Sequence, residues 1–149
     1  MSRPVSRRPP ASRRPYILDD QIGFVLRQVN QRHVAIFEKQ MGGDLTPTQW
    51  AALSKLAEVG SCSQNQLGRL TAMDVATIKG VIDRLTARGL TRTNADPDDG
   101  RRLLVALTPA GRQRVAKGAA KAFQVTEDTL APLDPAERET LKALLLKLR

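Results

Sequence analysis

Residues 63–108 read SQNQLGRLTAMDVATIKGVIDRLTARGLTRTNADPDDGRRLLVALT, and the periods within this stretch decide the fold. Asp74 is a helix-capping residue, and behind it Ile78, Val81, Ile82 and Leu85 recur at three- and four-residue steps as far as Gly89, the spacing of one buried helix face. Ahead of it Ser63 starts a helix of only about two turns, with Gln66 three residues on and Leu67 and Leu70 as its buried side. Thr71-Ala72-Met73 forms the turn between the two. After Leu90 the period changes: Thr91–Thr93 and Arg102–Leu107 are β-competent runs separated by the turn residues Asp96-Pro97-Asp98-Asp99-Gly100. A short helix, a tight turn, a longer helix and a hairpin directly after it read as a winged helix-turn-helix.

Outward from this unit the chain is helical on both sides. Ile22, Val25, Leu26, Val29, Ile36 and Phe37 line one face of a helix from Asp19 to about Gln40, which Gly42 and Gly43 stop. Thr46 caps the next helix, Pro47 suits its first position, Gln49 completes a capping box, and Trp50, Leu53 and Leu56 face inward before Gly60. Beyond the hairpin, Thr108-Pro109 opens a long helix with Val115, Ala119, Ala122 or Phe123, Thr126 and Leu130 along one side. Pro132 breaks it, and Asp134-Pro135-Ala136-Glu137 starts a last helix with Leu141, Leu144, Leu145 and Leu148 as its stripe. The expected fold is mainly α with a small β-hairpin wing, a winged helix-turn-helix flanked by N- and C-terminal dimerisation helices. Its divisions are a basic Pro/Arg-rich flexible arm at 1–16, an N-terminal dimerisation helix at 17–45, the DNA-binding lobe at 46–108 and C-terminal dimerisation helices at 109–149. The terminal stripes exceed what a small winged domain needs, so they either bury each other across a two-fold dimer or fold back on their own lobe.

Charge is gathered rather than scattered. The 149 residues carry 24 Lys+Arg against 15 Asp+Glu, a net +9. By segment, residues 1–16 hold +5, 17–68 hold −1, 69–121 hold +6 and 122–149 hold −1. The excess lies in the arm and in the winged unit, which points to a polyanion such as double-stranded DNA. The arm reads either as a solubilising tail or as a DNA-contacting or ligand-capping segment. With 41% hydrophobic residues the chain can build a core, and no run is long enough for a membrane span or a secretory signal, so a cytoplasmic location is expected. Cys62 and His33 are the single cysteine and histidine, which leaves no metal cluster and no cofactor to expect. No Gly-rich phosphate loop and no nucleophile with a neighbouring His argues for an enzyme.

In the longer helix of the central unit, Ala76, Gly80 and Asp83 fall opposite the Ile78/Ile82/Leu85 stripe, with Thr77 and Lys79 on the flanks. Thr77 and Lys79 can donate to base edges or phosphates, Ala76 can touch a thymine methyl and Gly80 permits close approach. Arg101 and Arg102 follow the wing turn, where a guanidinium can enter a minor groove, with Asp99 placed to orient Arg101 by a salt bridge. Arg69, Arg84, Arg88 and Arg92 are expected on phosphates, adding affinity and salt dependence without sequence preference.

Taken together, Leu-Thr-Pro-Thr-Gln-Trp at 45–50, Gln-Leu-Gly-Arg-Leu at 66–70, the 74–90 helix and Asp-Pro-Asp-Asp-Gly-Arg-Arg-Leu-Leu-Val-Ala-Leu-Thr-Pro-Ala-Gly at 96–111 resemble MarR-type transcriptional regulators over roughly Asp19–Arg149. The resemblance implies a homodimer whose two winged lobes read a pseudo-palindrome and are released by a small aromatic carboxylate or its coenzyme A thioester, bound between the dimerisation helices and the DNA lobe. Gly80 and Gly100 depart from residues common in the family, so the operator does not carry over by analogy. For the effector, His33 is turned inward by its spacing and is either structural or a ligand contact, and Trp50 is either core or a flat wall for a ring. Arg27, Arg32 and Lys55 are the nearest cations for an acid, with Arg13 and Arg14 of the arm for thioester phosphates. Two other readings stand beside this one: a non-specific architectural DNA-binding protein, and a redox-sensing regulator using Cys62, against which stands a buried, inert thiol.

Overall fold

The computed structural model describes residues 14–149, so most of the basic arm, including Arg13, lies outside the described residues. After a 3-10 turn at Leu18–Asp20 the chain forms α1 (Ile22–Met41), α2 (Pro47–Val59), β1 (Ser61–Cys62), α3 (Gln64–Leu70), α4 (Val75–Ala87), β2 (Thr91–Ala95), β3 (Leu103–Leu107), α5 (Pro109–Leu130) and α6 (Pro135–Lys147).

The ends of these elements are set by local chemistry. Gly42 takes a left-handed φ of 75° and its N–H reaches Glu38 O, closing α1. Thr46 and Gln49 form the reciprocal capping box at α2, each bond 3.2 Å. Ser63 Oγ accepts from Gln66 N at α3, and Asp74 Oδ1 accepts from Thr77 N at 2.7 Å to start α4. Between α3 and α4 the tight turn is held at Ala72, a non-glycine residue at φ 54°, beside Thr71, whose hydroxyl donates to Leu67 O at 2.6 Å.

The strands form a three-stranded antiparallel sheet in the order β1-β3-β2. The wing strand β2 is longer than expected, and β1 was not foreseen at all. At two residues β1 has no readable period, and it is a strand only because Ser61 and Cys62 pair with Ala106 and Val105 of β3. Beneath the sheet the core gathers Leu53, Leu56, Leu67, Ile78, Leu85 and Val105, all essentially closed to solvent, with Phe37 and Met41 from α1. Leu70, expected in the core, is 43% exposed, because the short α3 buries only Leu67 and Gly68.

The fully buried line of α5 lies beside its apolar stripe, of which Val115 packs half-buried against the core. Gly111, Gly118 and Val125, seven residues apart, are its buried positions, while Phe123 is 75% exposed. Two of these positions carry no side chain, so a hydrophobic period cannot register them, yet both mark close approach. A Cβ on Gly111 would overlap the Leu90 carbonyl oxygen, far closer than van der Waals contact allows, and one on Gly118 would sit 2.5 Å from the Trp50 ring. Thr108 locks the same junction, donating from its N–H to Leu90 O and from its hydroxyl to Gly89 O. Asp134 and Glu137 box the start of α6, which buries no residue: Leu144 is 53% and Leu148 72% exposed. Nor does the first half of α1 bury its stripe of Ile22, Val25, Leu26 and Val29.

Candidate nucleic-acid interface and effector groove

Helix α4 presents a divided surface. Ile78, Val81, Ile82 and Leu85 are all buried, and Val75, Ala76, Thr77 and Lys79 on the other sides of its first turns are exposed. Asp74 takes hydrogen bonds from both the N–H and the side chain of Thr77, so the cap also engages the Thr77 hydroxyl at the exposed start of the helix. Lys79 donates to Asp83 at 2.8 Å with both side chains solvated, so its ammonium is loosely held. Gly80 lies under Arg84, whose Nη1 is 3.5 Å from the place a Cβ would occupy. That is ordinary contact distance, so Arg84 lies along the outward face of the helix against Gly80 without depending on the missing side chain.

Within the wing tip Asp99 plays a different part from the salt bridge expected of it. Its Oδ1 accepts from the Arg101 backbone N–H at 3.1 Å, its carbonyl accepts from Arg102 N at 2.9 Å, and among the described residues it makes no ion pair with the Arg101 side chain. It orients Arg101 through the turn rather than through charge. Asp96 closes the tip from the other side, accepting from Asp98 N, while Arg101 and Arg102 stand exposed.

The four arginines expected on phosphates part company. Arg69 and Arg84 are exposed. Arg88 is instead engaged inside the molecule: it donates to the Asp44 carboxylate at 2.7 Å and to the Asp44 carbonyl at 2.8 Å, and Arg114 of α5 pairs with the same carboxylate. One acidic residue in the α1–α2 loop thereby ties α4 to α5, a contact between distant segments that no local period reports. Arg92 is one residue from Thr91, whose hydroxyl meets Thr86 of α4, so strand alternation turns Arg92 to the opposite face of the sheet, away from α4.

The effector candidates are likewise not brought together. Trp50 lines an open groove of about 490 Å³ between α2 and α5, with Val115, Ala119, Ala122 and Phe123 on the facing helix. Ser54, one turn beyond Trp50, has a buried Oγ with no hydrogen-bond partner and lines the same groove. Sequence reasoning missed Ser54, although its i, i+4 spacing from Trp50 was the available signal. Arg32 donates to the carbonyls of Asp128 and Thr129, neutralising the C-terminal end of α5. His33 is half-buried beside it. Thr129 Oγ1 donates to Val125 O, so it accepts from His33 Nδ1–H at 2.9 Å, which assigns the proton to Nδ1. Both residues therefore join α1 to α5. Lys55 pairs with Glu58 at 2.5 Å, and Arg27 is exposed on α1. Cys62 is buried on β1, and burial pushes its thiol up against a smaller opposing pull from Arg102, the setting of an unreactive thiol.

A helix-turn-helix whose second helix buries one face and offers the other, followed by a basic-tipped wing, defines a winged helix-turn-helix transcriptional regulator. A family model described as MarR family matches residues 43–102. The repressor NicR of Pseudomonas putida is 37% identical over 140 residues, 93% of this chain and 89% of that protein. The chain belongs to the MarR family. Among solved structures, a probable transcriptional regulator from Pseudomonas aeruginosa is 61% identical with a TM-score of 0.87, covering 89% of this chain and 100% of that one. BpsR of Bordetella bronchiseptica, described with the regulation of its DNA binding by 6-hydroxynicotinic acid, is 43% identical with a TM-score of 0.86, covering 90% and 96%. No helix among the described residues is long and apolar enough to cross a membrane.

Proposed function

We propose that the chain is a homodimeric repressor that reads a pseudo-palindromic operator and lets it go when a small aromatic acid enters the groove between α2 and α5. The observation that carries this reading is α4, whose apolar stripe is wholly consumed by the core while Ala76, Thr77 and Lys79 remain exposed on its other sides. In this reading Ala76, Thr77, Lys79 and Gly80 meet base edges in the major groove and Arg84 and Arg69 meet phosphates. Arg101 and Arg102 enter the flanking minor groove. The exposed faces of α1 and α6 pair with those of a second copy, so that two α4 helices stand about one DNA turn, roughly 34 Å, apart.

Trp50 and Phe123 supply flat apolar walls for a ring, and the unpartnered Ser54 Oγ offers it one polar contact. A groove of about 490 Å³ suits a single-ring free acid better than a coenzyme A thioester. The likeness to BpsR makes 6-hydroxynicotinic acid the first compound to try. No basic side chain is among the residues lining the groove, so the counter-charge has to come from elsewhere, and Arg14 at the start of the described chain is the nearest candidate in sequence from the basic arm.

The test is fluorescence anisotropy on duplex from upstream of the protein's own gene, with random duplex as competitor and Arg101→Ala beside wild type. Expected are binding that survives the competitor, weakening in Arg101→Ala, and release by 6-hydroxynicotinic acid accompanied by a change in Trp50 fluorescence. Binding that random DNA erases, with no effect of Arg101→Ala, would favour the architectural alternative. Release by the thioester alone would overturn the free acid.

A further inference from the structure

A second cleft, of about 620 Å³, lies across Ala57 and Val115 from the Trp50 groove, between the end of α2, the outer face of the sheet and the first turns of α5. Its floor follows from strand register. Ser61 and Arg92 are each paired with Ala106, so the three residues form a row on one face of the sheet. Arg112, in the first turn of α5, enters the same cleft, its Nη1 donating to Leu107 O at 3.3 Å. Leu56, Val59 and Val115 make the rest of the lining largely apolar, and no Asp or Glu contributes to it.

The charge in this cleft is unbalanced. Arg88, Arg114 and Arg138 each have a carboxylate partner, whereas neither Arg92 nor Arg112 forms an ion pair among the described residues. Two guanidinium groups lining one cleft over a largely apolar floor repel one another across it, and a carboxylate bound between them can accept from both with charge-assisted hydrogen bonds. Arg92 faces away from α4, so DNA held by α4 is not the natural source of that anion.

We infer that this cleft is a binding site for a small organic carboxylate with an apolar body, distinct from the Trp50 groove, with Arg92 and Arg112 holding the carboxylate. The apolar lining selects an organic acid over an inorganic anion, and the two arginines select an acid over its neutral analogue. Because Arg92 belongs to a wing strand and Arg112 to α5, an acid bridging them ties the base of the wing to the long helix.

The test is a titration of the 15N-labelled full-length protein with benzoate at constant ionic strength, followed by amide shifts and, in parallel, by Trp50 fluorescence. Inorganic phosphate and benzyl alcohol serve as the charge-only and body-only probes. Expected are saturable benzoate shifts at Ser61, Arg92 and Ala106, weakened about tenfold in Arg92→Gln or Arg112→Gln, the scale of one charge-assisted hydrogen bond. Arg112→Lys retains part of the affinity, and unchanged melting temperatures show that the variants fold. Benzyl alcohol and phosphate leave these amides nearly still. Shifts confined to the surroundings of Trp50, cleft shifts indifferent to both glutamine variants, or phosphate equalling benzoate would each overturn the inference. The fluorescence signal keeps the two sites apart: a Trp50 response without cleft shifts removes this site and leaves the effector groove standing.

Discussion

At Gly111 the first turn of α5 passes so close to the Leu90 carbonyl that no side chain fits, while Thr108 bonds the same strand end and helix end. Gly111→Ala forces backbone against backbone, and its expected cost is at the upper end of the roughly 1–3 kcal/mol of overpacking. Thermal melts should show a clear fall for it and none for Gly100→Ala, where a Cβ meets nothing. The acid side of the stability profile is also set residue by residue. The Asp74 carboxyl is held below the usual carboxylate range chiefly by the Thr77 backbone N–H, Asp134 by that of Glu137, and Asp128 by the Gln124 amide and then by Gln40 of α1. Folded values below the unfolded one mean that each contribution is complete above about pH 4 and disappears as pH falls through the folded value. Melting temperature should therefore hold down to about pH 5 and drop below about pH 4, more gently in Asp128→Asn. A flat profile across that range would contradict the assignment. The caps Thr46, Ser63, Asp74, Thr108 and Asp134 were legible in the sequence because capping involves atoms three residues apart.

Two arginines one turn apart at the end of α4 show what an element adds to its residues. Both carry the same charge and the same expectation of phosphate contact, yet Arg84 lies free over Gly80 and Arg88 is bound to Asp44. Arg84→Gln should weaken all DNA sequences alike and lower the salt slope of binding by about 1, with melting unchanged. Arg88→Gln should instead lower the melting temperature and leave the slope closer to wild type, as anisotropy across salt concentrations will show. The reverse pattern would return Arg88 to the phosphate-contacting set. The period of α4 was read with the correct buried face; α3 and β1 were too short for a period to speak. The fully buried positions of α5 were missed because two of the three, Gly111 and Gly118, are glycines that make its closest contacts.

For the whole molecule the unburied leucines of α6 and the first half of α1 are the unresolved surface of a single chain. Leu144→Asp removes nothing from the core of that chain, since α6 buries no residue. Sedimentation should show a monomer that still melts cooperatively, with operator affinity lower by about 100-fold or more once two reading heads no longer act together. A Leu144→Asp protein that remains dimeric and binds normally would move the pairing surface elsewhere. The sequence by itself determined the order of the helices and of the wing hairpin, their capped and glycine-stopped ends, the buried side of α4 and the family. Those are short-range properties, carried by hydrogen-bond partners within four residues and by periods within one helix. Only the tertiary structure decided which cations are free, that Arg92 turns behind the wing beside Arg112, that Asp44 ties α4 to α5, and that Trp50, Ser54 and Phe123 share a groove. Such pairings depend on which surfaces meet across tens of residues, and a charge or a ring looks the same in the sequence whether it faces water, DNA or another helix.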